Sequence, residues 1–144
     1  MAAYGMEIQL KGTMEDVKTR VGEALKAQGF GILTEIDVQK TFKTKLDVDF
    51  KPYLILGACN PSLAHRSLST DESIGLLLPC NVVLKQDGEA VTVSILDPEV
   101  MFSVVEEGTR KQLADLPGEA KRRLRGVLDA LKGQAGSGDA PQGL

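Results

Sequence analysis

The sequence predicts a mixed α+β domain with about five strands and intervening helices. Three observations predict it. Tyr4, Met6, Ile8 and Leu10 alternate with Gly5, Glu7 and Gln9, the period-two pattern of a strand with one buried face. Met14, Val17, Val21, Ala24, Leu25 and Gln28 recur at helical spacing directly afterwards. Ile74 to Leu84 and Val91 to Leu96 flank QDGEA, whose Asp87 and Gly88 suit a hairpin turn.

Each remaining element follows from local chemistry. Thr13, with Asp16 three residues on, resembles a capping box at the start of the first helix, and Gly29 is its stop. Phe30 to Ile36 reads as a second strand. Val38 to Leu46 is lysine-rich and reads either as a short helix or as an irregular excursion. Tyr53 to Ala58 is a continuous apolar run of strand length, suited to burial on both faces. Asn60 is a favoured N-cap and Pro61 a favoured first helical residue, so SLAHRSLS forms about two helical turns, with Leu63, Ala64 and Leu68 as apolar contacts and Asp71 to Ser73 as its close.

Ile74 to Leu84 then reads as one long strand placing Ile74, Leu76, Leu78, Cys80, Val82 and Leu84 on one face. Pro79 within it implies an edge position or a bulge. In the returning strand Val91, Val93 and Ile95 point inward, Thr92 and Ser94 outward. Asp97 and Pro98 start a short helix running through Val105 toward Gly108, and a last helix carries Leu113, Leu116, Ala120, Leu124, Val127, Leu128 and Leu131, kinked or split at Pro117 and Gly118. The expected domain spans residues 4–132. From Gly133 on, GQAGSGDAPQGL lacks the apolar residues that offset ordering entropy, so 133–144 is expected to be a mobile tail.

Composition narrows the function. The chain has 144 residues, with 17 Lys plus Arg against 20 Asp plus Glu and a net charge of -3, so neither nucleic acid nor an anionic membrane is an expected partner. MAAYGMEIQL has no basic and apolar leader pattern and no later apolar run reaches about 18 residues, which points to a cytoplasmic protein. The two cysteines, Cys59 and Cys80, are too few for a disulfide framework.

Chemistry concentrates in GACNPSLAH, Gly57 to His65, which holds a cysteine, the Asn-Pro pair and the single histidine. Cys59 precedes a helix start, where the dipole favours a thiolate; alternatively it points into the core with Tyr53, Ile55 and Gly57. His65 reaches Cys59 only with difficulty, because five helical residues rise about 7.5 Å, and a hydrogen-bonding role is the plainer reading. The resemblance of GACNP to a nucleophile elbow fails, since Pro61 replaces the last glycine and no later histidine follows. A metal site requires Cys59, His65 and Cys80 to converge, and a redox pair requires Cys59 and Cys80 to meet. An anion site is the third option, using the backbone N–H groups after Asn60 with Ser62 and Arg66. KRRLR, Lys121 to Arg125, interleaves with Leu124 and reads as a solvated helix face.

LILGACNPSLAHRSL, followed by GLLLPCNVVL and LDPEVM, resembles the bacterial family called domain of unknown function 302, from about Met6 to Leu131. The motif positions are Cys59, Asn60, Pro61, Ala64, Pro79, Cys80, Asp97 and Pro98. The resemblance implies a TATA-binding-protein-like fold, an antiparallel sheet with helices on one side, and a homodimer. It implies no activity and names no cofactor. The expected function is a non-catalytic domain binding a small ligand, an anion or a soft metal near Cys59, Asn60, Ser62, His65 and Cys80. Two alternatives stand beside it: thiol redox or transfer with Cys59 as thiolate and Cys80 as resolving partner, and an interaction domain whose cysteines are core residues.

Overall fold

The structure, a computed structural model, describes residues 2–138. Five strands, β1 (Gly5–Lys11), β2 (Gly31–Asp37), β3 (Tyr53–Cys59), β4 (Cys80–Asp87) and β5 (Ala90–Leu96), form one antiparallel sheet in the order β1-β5-β4-β3-β2. The helices are α1 (Met14–Ala27), α2 (Val38–Leu46), α3 (Pro61–Thr70), α4 (Pro98–Phe102), α5 (Glu107–Gln112) and α6 (Leu116–Gly138), with a 3₁₀ helix at Glu72–Leu77.

Alternation assigns the two faces of the sheet. Met6, Ile8 and Leu10 of β1, Leu54, Leu56 and Ala58 of β3, Val82 and Leu84 of β4, and Val91, Val93 and Ile95 of β5 are buried in one cluster. Val17, Val21, Ala24 and Leu25 of α1 and Leu124, Val127, Leu128 and Leu131 of α6 complete it. A second cluster of Leu63, Ile74, Phe102, Val105, Leu113, Leu116 and Ala120 lies where α3, the 3₁₀ helix and α4 to α6 meet. Thr13 caps α1 through its Oγ1, which accepts the Asp16 N–H at 3.1 Å, and Gly29 at φ +84° ends that helix as expected.

Several elements differ from the sequence expectation. Tyr4 precedes β1 and is 53% exposed. Val38–Leu46 is the helix alternative, α2, capped by Asp37 through the Lys40 N–H. Ile74 to Leu84 is not one strand. Proline has no N–H to give to a ladder, so β4 begins at Cys80, after Pro79, and lies between β3 and β5 rather than at an edge. Ile74 and Leu76 fall in the 3₁₀ helix instead, where Ile74 is buried and Leu76 is 89% exposed. In α3 the buried residues are Leu63 and Ser67, while Leu68 faces outward.

The helix begun by Pro98 stops at Phe102, and the last expected helix divides before Leu116. Pro117 sits in the first turn of α6, where its missing N–H costs no intrahelical bond. Helix α6 runs on through Gly133 to Gly138, the first part of the expected mobile tail. Residues 139–144 of that tail lie outside the described residues.

Candidate functional site at the cysteine corner

The register of β3 against β4 decides whether the two cysteines approach. Ala58 is paired with Cys80, so Cys59, the last residue of β3, is the diagonal neighbour of Cys80. Strand alternation sends Cys80 to the helix-covered face with Ala58 and sends Cys59 to the other. Cys59 does share a face with Tyr53, Ile55 and Gly57, but that face is the open one. The core is carried by Leu54, Leu56 and Ala58.

Gly57 makes the corner close. A Cβ at this position would lie 2.2 Å from Thr34 Oγ1 and 2.7 Å from Pro79 Cγ, so only glycine lets β2 and the Pro79 ring approach this tightly. Asn60 then leaves the strand with its side chain buried, and its Oδ1 accepts the Leu63 N–H at 3.1 Å. Pro61 follows at the first helical position. The Asn-Pro corner is thus built as the sequence predicts.

Beneath it lies a cavity of about 40 Å³ where the two hydrophobic clusters adjoin. Ala58, Cys59 and Asn60 border it from β3 and its exit, Leu63, Ala64 and Ser67 from α3, Leu78 and Cys80 from the entry to β4, and Pro98 and Met101 from α4. Segments ACNP, LLPC and DP, far apart in sequence, therefore converge on one space. Phe30, Ile74, Phe102, Leu116 and Ala120 also line it. Sequence reasoning did not mark these five as site residues, because each looks like an ordinary core position in its own element.

The electrostatics are those of neutral thiols. Burial pushes the Cys59 thiol up, and burial together with the neighbouring Cys59 pushes Cys80 up to about 11. The thiolate expected from the helix dipole is therefore not favoured, since desolvation disfavours the charged form. Both cysteines are free.

The other expected site residues separate. His65 is exposed on α3 and does not border the cavity. Ser62 is exposed too, and Arg66 is paired with Asp115. At the start of α3, Pro61 has no N–H, Leu63 N–H bonds Asn60 Oδ1 and Ala64 N–H bonds the Asn60 carbonyl at 2.9 Å, so Ser62 alone has an amide left for an anion. Among the described residues no three His, Cys, Asp or Glu side chains are gathered to hold a metal ion.

Asp97 and Pro98 anchor the floor. Asp97 Oδ1 accepts the Glu99 N–H at 2.9 Å, and its Oδ2 meets Lys121 Nζ at 2.9 Å, tying α4 to α6. Burial works to raise the Asp97 carboxyl, but the Lys121 ammonium and the helix-start amides outweigh it and hold the group below its usual range. Lys121 of the basic run is thereby engaged, as is Arg123 with Glu119.

A known family matches this arrangement. The one described as "Domain of unknown function DUF302" matches residues 6–131, a span containing every motif at the corner. The chain belongs to the DUF302 family. Its fold is also similar to the crystal structure of an uncharacterized conserved DUF302 protein from Bacillus stearothermophilus, with 26% identity, a TM-score of 0.78, and coverage of 89% of this chain and 98% of that one. No curated protein matches the chain. The DUF302 description assigns no activity, so function rests on the site itself. In this DUF302 chain no described helix is long and apolar enough to cross a membrane.

Proposed function

We propose that this DUF302 chain is a non-catalytic binding domain that takes a small, mainly apolar ligand in the cavity at the cysteine corner. The observation that supports this reading is the convergence of the ACNP, LLPC and DP segments on one space between two hydrophobic clusters. A cavity of about 40 Å³ is near the share of one or two water molecules, whereas pockets for drug-sized ligands measure about 300–1,000 Å³. The ligand is therefore of few heavy atoms. Thiol redox chemistry is the weaker reading, because burial raises both thiols and strand alternation turns them to opposite faces.

Xenon, a small apolar sphere, is the direct probe. Under xenon pressure the methyl signals of Leu63, Met101 and Leu116 shift, and in Ala64→Leu, which fills the cavity, they do not. Native mass spectrometry of gently purified protein reports any ligand it carries. Unchanged methyl signals at saturating xenon, with no retained mass, would refute the proposal.

A further inference from the structure

The helices that bury one face of the sheet leave the other open. On this face the register places Glu7, Ser94 and Val83 in one row, with Thr92, Lys85 and Tyr53 in the next. The face is dished, with a concavity of about 500 Å³ whose walls include Glu7, Tyr53, Val83, Lys85, Ser94 and Leu96. That volume falls within the roughly 300–1,000 Å³ of small-molecule sites, which combine an apolar lining with a few placed polar groups. Val83 and Leu96, both half-buried, supply the apolar part.

Two opposite charges stand on this face without meeting. Glu7 on β1 and Lys85 on β4 lie on either side of β5, two strand spacings apart and two residues out of step, which separates them by about 12 Å. Both are half-buried. The Glu7 carboxylate accepts the Ser94 hydroxyl through Oε2 at 2.6 Å, and among the described residues its Oε1 has no hydrogen-bond partner. The Lys85 ammonium makes no hydrogen bond or ion pair among them either, because Asp87, the acid of β4, is taken by Lys51 and the Thr92 hydroxyl. Tyr53, the cross-strand neighbour of Lys85, has a phenolic O–H that is likewise unbonded. Partly desolvated charges of this kind gain most from a ligand group of opposite sign.

We infer that the dish binds a small linear zwitterion, an ω-amino acid, with its ammonium on Glu7 and its carboxylate on Lys85 and the Tyr53 O–H. The chain between them lies over Ser94 and Val83. The span sets its length. Two hydrogen bonds of about 3 Å leave about 6 Å for the ligand itself, the reach of roughly five carbons. A plain carboxylic acid leaves Glu7 without a partner, and a plain amine leaves Lys85 without one. The dish shares no lining residue with the cavity at the cysteine corner, so the two sites stand or fall separately.

NMR titration with δ-aminovalerate as the probe tests the site. The methyl signals of Val83 and Leu96 shift while those of Met101, in the cavity, do not. The wild type binds this probe at least about tenfold more tightly than valerate, pentylamine or the shorter zwitterion glycine, the worth of one hydrogen bond to a charged group. Glu7→Gln binds δ-aminovalerate and valerate alike, and Lys85→Gln binds δ-aminovalerate and pentylamine alike. A merely structural role for either residue would not erase one discrimination and spare the other. Val83 and Leu96 signals that ignore the probe, as they would with a second copy or another protein seated on the face, overturn the inference. So does a wild type that binds all four compounds equally, or a variant that keeps the wild-type preference.

Discussion

Gly57 carries the tightest steric constraint at the corner. In Gly57→Ala the new methyl group meets the Thr34 hydroxyl and the Pro79 ring, and while the hydroxyl can turn away, the ring cannot. The expected cost is about 1–3 kcal/mol, read as a lower urea midpoint with unchanged slope. Cys80 sets a different limit. Its raised thiol means that the folded chain holds this proton more tightly than the unfolded chain, so its contribution is complete below the ordinary thiol value of 9.0 and is lost as pH rises through about 11. Urea midpoints measured across that interval should fall for the wild type and flatten for Cys80→Ala. At this scale Asn60 and Pro61 were legible in the sequence because a cap is a contact with the next few residues. Gly57 was not, since Thr34 and Pro79 lie far from it along the chain.

The tie between α4 and α6 belongs to the scale of elements. Asp97→Asn keeps an N-cap acceptor but removes the charge facing Lys121. Because the Asp97 carboxyl is held below its usual range, its contribution is present above the unfolded pKa and disappears as pH falls through the lowered value. The variant should therefore be less stable near neutral pH, by about 1 kcal/mol, and indistinguishable from wild type in strong acid; thermal melts over that range check it. Helix α1 and the β4–β5 hairpin were legible because their signals, a 3.6-residue period and an Asp-Gly turn, are local. The Ile74–Leu84 run misled for the converse reason. Its alternation of apolar residues is real, but Pro79 ends any ladder upstream of Cys80, and Ile74 is buried in a cluster with Leu63 of α3 and Phe102 of α4 rather than by a sheet.

For the molecule as a whole, the sheet lies between the cavity and the open face. The cavity lies among helices and the open face lies on the far side, so Lys85→Glu should leave the xenon response of Met101 intact. Charge balance and strand count were readable from composition and pattern, but which face stays bare depends on the paths of α1 and α6, and these follow from long-range packing. The same topology bears on synthesis. Among the described strands, β1 is the first to leave the ribosome and pairs only with β5, the last. Until Leu96 has emerged, its ladder groups and its apolar face have no native partner on that side. A chain stalled before Ala90 would therefore present β1 as an open edge, the template for association with other nascent chains.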